Sequence, residues 1–145
     1  MTGDRSPTFS AVLDGSCNDP ARLGGKGAAL DRLIGWGIRV PDTGVVTADA
    51  YRAVVAQPGP ARLLAEMADE REHGADEIDR VFRETSPPAA VRSALVALGQ
   101  AIASGHRLAV RSSATVEDLA HSSFAGLYRS VLDVDAEDSD ALVEA

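Results

Sequence analysis

Apolar residues recur at helical spacing along much of this chain. Leu30, Leu33 and Ile34, for example, stand at i, i+3 and i+4, an arrangement that places side chains on one face of a helix. Thr47 and Ser86 precede two such stretches and are predicted to cap the helices that follow. The predicted helices cover residues 25–35, 47–56, 61–84 with a break near Gly74, and 86–104.

Shorter stretches alternate between apolar and polar residues or are rich in β-formers, and these predict strands. They lie at residues 8–13, 44–47, 107–113 and 127–134. Because strands alternate with helices, the expected fold class is α/β or α+β, with the strands in one mixed sheet and helices flanking it. A chain of 145 residues is long enough for one domain with its own core.

Composition and charge limit the ligands, the location and the metal sites that can be expected. The chain has 14 basic and 22 acidic residues, and its net charge of −8 disfavours a nucleic-acid-binding surface but not a site for one nucleotide. The first residues lack a signal-peptide core, and no stretch approaches the ~18 apolar residues of a membrane helix, so a cytoplasmic protein is expected. His73, His106 and His121 show no metal-ligand or triad spacing, so each is expected at the surface and no metal site is predicted within the chain.

The first candidate for chemistry is a glycine-rich segment that opens a predicted helix. Gly24, Gly25 and Gly27 surround Lys26, and such a segment suits phosphate because its amides can approach an anion closely. Lysine adds a mobile positive charge. The segment is not a Walker A loop, because Pro20 stands where that motif requires glycine. A flexible helix start with an exposed lysine is the alternative interpretation.

The second candidate lies at the end of the predicted strand at 107–113. Arg111 is followed by hydroxyl groups at Ser112, Ser113 and Thr115. Guanidinium presents a rigid fork of donors to phosphate oxygens, and hydroxyls add further donors. In the alternative interpretation, Arg111 pairs with an acid at 117 or 118 and Thr115 begins a capping box.

A third candidate is the short segment 122–126, which has the sequence SSFAG. Ser123 lies within it, and Phe124 is suited to anchor it if the segment covers a bound phosphate. An ordinary tight loop is the alternative.

Two long stretches, residues 24–51 and 108–134, resemble the N-terminal ATP-binding domain of the pyruvate, phosphate dikinase and phosphoenolpyruvate synthase family. Rifampicin phosphotransferases and glucan water dikinases share this domain. The resemblance implies an ATP-grasp fold, in which ATP lies between two lobes. It also implies a reaction that splits ATP to AMP and moves the β-phosphate, through a histidine on another domain, to pyruvate, an antibiotic or a glucan.

The resemblance assigns roles to individual residues. It implies that Lys26, between Gly25 and Gly27, contacts ATP phosphates and that Arg111 is the catalytic clamp on the transferred phosphoryl group. Ser112, Ser113, Thr115 and Ser123 match the phosphate-covering loops of the family. Leu127 stands where many members have glutamine, which is a departure from the family pattern.

The resemblance extends over only the first part of the family's domain. We therefore expect residues 1–145 to form a partial ATP-grasp domain, truncated before the second lobe, with ATP as ligand and with the Mg²⁺ ligands outside this chain. The implied partners are a second lobe and a phosphohistidine domain encoded separately, and the chain alone is expected to show little turnover. A non-catalytic remnant, or a binding or interaction module of the same fold, is the alternative.

Overall fold

The computed structural model of the chain describes residues 8–69, 71–113 and 130–145. Helices and short strands alternate through these residues, which confirms the predicted mixture of helix and strand. In chain order the elements are β1 (Ser10–Val12), α1 (Pro20–Gly35), β2 (Gly44–Val46), α2 (Ala48–Val55), α3 (Pro58–Ala68), α4 (Ala75–Glu84), α5 (Ala89–Ala103), β3 (Leu108–Arg111), β4 (Ser130–Val134) and α6 (Ser139–Glu144).

Within the described residues the strands form two separate antiparallel pairs. Strand β1 pairs with β2, with Ser10 opposite Val46, and β3 pairs with β4, with Arg111 opposite Ser130. The expectation of one mixed sheet is therefore wrong for this part of the chain. The reason is physical: a period of two residues predicts extended backbone and a buried face, but it does not specify the partner strand.

Helix α1 is divided by a kink at Gly24, where the backbone has φ 73° and ψ 168°. Asp19 caps the first segment by accepting a hydrogen bond from the amide of Ala21, and Pro20 occupies the first turn, where proline is tolerated. The second segment begins at Gly25, as the sequence predicts. The additional turn before it was not predicted.

One cluster of the core lies between α1 and the first strand pair. Its buried residues are Leu13, Leu23, Ala28 and Val45. Helix α1 comes close to β2 at Gly27, where a Cβ atom would lie 3.0 Å from Cγ2 of Val45. The glycine therefore lets the helix backbone approach the strand closely.

Helix α5 packs against the same strand pair. Its contact with β2 is close at Gly44, because a Cβ atom there would lie 2.5 Å from Cδ1 of Leu98. Within the described residues, no helix has both the length and the apolar content that a membrane crossing requires.

Neither Thr47 nor Ser86 caps a helix with its side chain as predicted. Thr47 does stand immediately before α2, but its hydroxyl donates to the carbonyl of Thr8 instead of capping the helix. Ser86 does not cap α5, which begins at Ala89 after Pro88. A residue that precedes proline avoids the helical region, so the two consecutive prolines after Ser86 delay the start of this helix.

Candidate functional site

The two motifs that the sequence singles out meet in space. The amide of Gly27 donates a hydrogen bond to Oγ of Ser113 over 3.3 Å, although 86 positions separate these residues. The same hydroxyl donates to the carbonyl oxygen of Leu23, also over 3.3 Å. The segment that follows β3 therefore rests on the kink of α1. We call this contact region, formed by residues 23–27 and 111–113, the phosphate corner, after the ligand that the sequence motifs predict for it.

The approach at the phosphate corner is close enough to require glycine. A Cβ atom at Gly24 would lie 2.3 Å from Oγ of Ser113 and 2.4 Å from its carbonyl oxygen. The positive φ of Gly24 is also a conformation that other residues rarely adopt. Gly24 is thus fixed by backbone geometry and by contact with Ser113.

Two cationic residues belong to the phosphate corner. Lys26 is half-buried in the first turn of the second segment of α1, and Arg111 is the exposed last residue of β3. Arg111 precedes Ser113 by two positions, which corresponds to about 7 Å of extended chain. The positive end of the helix dipole adds to these charges. The arrangement is therefore suited to binding an anion.

The structure describes only some of the predicted site residues. Gly25 and Ser112 are half-buried within the phosphate corner, whereas Thr115 and Ser123 lie outside the described residues. So do the acids at 117 and 118, with which Arg111 pairs in the alternative interpretation.

Asp31 is a buried acid that lies outside the motifs singled out by the sequence. Its side chain is on the inner face of α1, one turn beyond Gly27, and the residue is 0% exposed. The carboxylate accepts hydrogen bonds from the backbone amides of Asp14, Gly15, Cys17 and Asn18, at distances of 2.8–3.1 Å. We call this arrangement the Asp31 clasp.

The clasp determines the ionisation of the carboxyl group. Burial of Asp31 alone would raise its pKa, but the four amide donors together favour the charged form more strongly, and the pKa is lowered from its ordinary value. The clasp holds the loop that leads into α1. An acid on the otherwise apolar face of the helix was the available signal in the sequence.

The expected surface position of the histidines is wrong for His73. Its side chain is only 9% exposed, and it lies between a glutamate of α3 and one of α4. Nδ1 is 3.0 Å from Oε2 of Glu77, and Nε2 is 3.3 Å from Oε2 of Glu66. His106 is exposed, and His121 lies outside the described residues. Among the residues that the structure describes, no group of three or more potential ligands could hold a metal ion.

A lysine at a helix N-terminus beside an arginine-bearing strand end is typical of a phosphate-binding domain. Comparison with known proteins specifies the class further. A family model described as the AMP/ATP-binding domain of pyruvate phosphate dikinase matches residues 20–145. The chain therefore belongs to this family, which confirms the resemblance noted in the sequence.

Relatives of the chain include three much longer proteins. It is 38% identical to a phosphoenolpyruvate synthase of Aeropyrum pernix, over 80% of this chain and 16% of the relative. It is 43% identical to a rifampicin phosphotransferase of Streptomyces sviceus, over 79% of this chain and 14% of the relative. A third relative is the prodigiosin synthesizing transferase PigC of Serratia marcescens, at 35% identity over 92% of this chain and 14% of the relative. The chain thus spans about one sixth of the length of these proteins or less.

Proposed function

We propose that the phosphate corner binds the phosphates of ATP and that the chain forms part of a dikinase-type phosphotransferase with an ATP-grasp fold. The observation that carries this proposal is the contact of Ser113 with Gly27 and Leu23. It joins two segments that are far apart in sequence, and each of them carries a cation and glycine or hydroxyl groups. Membership of the AMP/ATP-binding family supports the same ligand.

The proposed roles follow from the chemistry of each group. Lys26 and the amide of Gly25 bind phosphate oxygens at the positive end of the helix. Arg111 clamps the phosphoryl group that is transferred, because its fork of donors can hold two oxygens at once. Ser112, Thr115 and Ser123 add hydroxyl donors around the phosphates.

The remainder of the reaction is proposed to involve groups beyond this chain. ATP is cleaved to AMP, and the β-phosphate passes to a carrier histidine on another domain or chain. Mg²⁺, which bridges phosphate oxygens in reactions of this type, is proposed to be held by carboxylates and amides of a second lobe. The lengths of the relatives support such additional domains, because the chain spans 12–21% of them.

The test is a calorimetric titration of the 145-residue chain with ATP and Mg²⁺. We expect weak binding, and replacement of Arg111 by alanine should weaken it by roughly 10- to 150-fold, because a hydrogen bond to a charged group contributes about 1.5–3 kcal/mol. Arg111→Lys should restore part of the affinity, since lysine keeps the charge but not the fork. Arg62→Ala is the matched control, because Arg62 is an exposed arginine of α3.

Release of AMP by the same protein tests the second part of the proposal. Positioning and charge neutralisation by metal supply most of the rate in phosphoryl transfer, so the chain alone should release almost no AMP. Sustained AMP release would show that the site needs no second lobe. Equal ATP affinity in the wild-type and Arg111→Ala proteins would remove the clamp from the proposal.

A further inference from the structure

We infer that Ser113 is a positioning residue, which caps the second segment of α1 and thereby links the lysine-bearing helix to the arginine-bearing strand. The structural part of this inference concerns the chain without ligand. Its consequence for ATP binding rests on the function proposed above.

The start of the second helical segment lacks a local cap. Gly24 occupies the N-cap position, so Gly25, Lys26 and Gly27 are the first three residues of the segment. A capping side chain normally accepts a hydrogen bond from the amide of the second or third of these residues. Gly24 has no side chain, and Oγ of Ser113 accepts from the amide of Gly27, the third residue. Ser113 therefore performs the function of an N-cap from a distant part of the chain.

The same hydroxyl group also forms a hydrogen bond with Leu23, on the other side of the kink. A carbonyl oxygen can only accept a hydrogen bond, so in the contact with Leu23 the Ser113 hydroxyl must be the donor. In the contact with Gly27 the amide is the donor and Oγ the acceptor. One hydroxyl thus satisfies a donor and an acceptor at the break in the helix.

A cap from Gly24 itself is sterically excluded. Any side chain there would bring its Cβ within 2.4 Å of the carbonyl oxygen of Ser113, and the positive φ would add strain. The close approach of the two segments therefore requires glycine at 24, and the capping hydroxyl comes from outside the helix.

This geometry gives Ser113 a different role from that of a phosphate ligand. A serine hydroxyl has one hydrogen to donate, and Ser113 directs it to Leu23. Ionised phosphate oxygens are acceptors, so they need a donor that Ser113 does not offer in this arrangement. The amide of Gly27 is likewise occupied by Ser113. Ser113 instead holds the helical segment that carries Lys26 against the end of the strand that carries Arg111.

The first experiment measures amide hydrogen exchange by NMR in the ¹⁵N-labelled chain without ATP. Loss of an N-cap corresponds to roughly a 2- to 30-fold change in a local equilibrium, so Ser113→Ala should accelerate exchange at Gly27 by about that factor. Ser113→Thr keeps the hydroxyl and should retain most of the protection. Ser93→Ala is the matched control, because Ser93 is exposed on α5.

The second experiment titrates the same variants with ATP and Mg²⁺. If Ser113 is a positioning residue, Ser113→Ala weakens ATP binding and also accelerates exchange at Gly27 in the free protein. If it is a direct phosphate ligand, ATP binding weakens while exchange at Gly27 in the free protein does not change, and this result overturns the inference. Should Ser113→Ala not fold, Ser113→Cys provides a weaker donor and acceptor of similar size, for which intermediate exchange at Gly27 is expected.

Failure of the inference is distinguishable from failure of the proposed function. A wild-type chain that does not bind ATP would refute the proposed function, yet exchange at Gly27 in Ser113→Ala would still test the cap. Conversely, normal protection of Gly27 in Ser113→Ala would refute the cap even if ATP binds.

Discussion

Replacement of Asp31 by asparagine removes a negative charge from the centre of four converging amide donors. In the wild-type chain one carboxylate oxygen accepts from Asp14 and Gly15, and the other accepts from Cys17 and Asn18. Asparagine keeps one acceptor oxygen, while its amide group would place hydrogens against the second pair of donors. The substitution is nearly isosteric, so its effect reports on hydrogen bonding and charge and not on a cavity.

The size of the stability loss in Asp31→Asn follows from the number of hydrogen bonds that are lost. Two amides lose their acceptor, and an unsatisfied buried donor costs about 1–3 kcal/mol. The cost of the two unsatisfied amides is reduced because Asp14 and Ser16 in the same loop are exposed, so the loop can move towards water. We therefore expect Asp31→Asn to lower the free energy of unfolding by about 2–4 kcal/mol at neutral pH. Urea denaturation of both proteins measures this difference.

The effect should depend on pH in a defined direction. The folded-state pKa of Asp31 is lowered, so its charged form contributes stability above the ordinary aspartate pKa of about 3.9, and this contribution is lost as the pH falls through the lowered value. The difference between the wild type and Asp31→Asn should thus be constant between about pH 5 and 7 and should shrink below about pH 4.

A second aspartate substitution serves as the control, because acid also changes the stability of this acidic chain through its other carboxylates. Asp79 forms an exposed pair with Arg83 on α4, so Asp79→Asn should leave the stability almost unchanged. The reasoning is refuted if Asp31→Asn is as stable as the wild type at pH 7. It is also refuted if the stability difference is the same at pH 3 as at pH 7.

Two further predictions concern the packing around the core. Leu23 is 1% exposed, so Leu23→Ala should lower the free energy of unfolding by about 2–5 kcal/mol in urea denaturation, and a change below that range would place this side chain outside the core. Gly44→Ala should cost about 1–3 kcal/mol because its Cβ would overlap Leu98, and the cost should fall in a Leu98→Ala background if overlap is the cause.

Local pattern was sufficient to predict most of the helices and strands. The helix that ends at Gly35 follows from residue spacing and glycine placement, and the strand predicted at residues 107–113 is present as Leu108–Arg111. The interruption near Gly74 was also predicted, although α3 already ends at Ala68 and α4 begins at Ala75. These features depend on interactions within a few residues, which a sequence displays directly.

Features that depend on distant residues were predicted less well. The pairing of β3 with β4, and not with β1 or β2, is set by tertiary contacts. The hydroxyl of Thr47 bonds to Thr8, an acceptor 39 positions away, instead of to its own helix. His73 is enclosed by glutamates of two different helices. In the last two cases a side chain that local rules place in a cap or in solvent is used by another part of the fold.

The glycines around Lys26 show how one motif can combine structural and chemical requirements. From sequence alone they indicate close approach of backbone amides to an anion. The geometry gives two of them a packing role, since Gly24 accommodates the backbone of Ser113 and Gly27 accommodates Val45. Loss of ATP affinity on substitution at either position would therefore not by itself identify an amide–phosphate contact. Substitutions at Lys26 and Arg111 report on phosphate more directly, because in both cases the charged group is at the end of a long side chain and can be changed without altering the backbone approach.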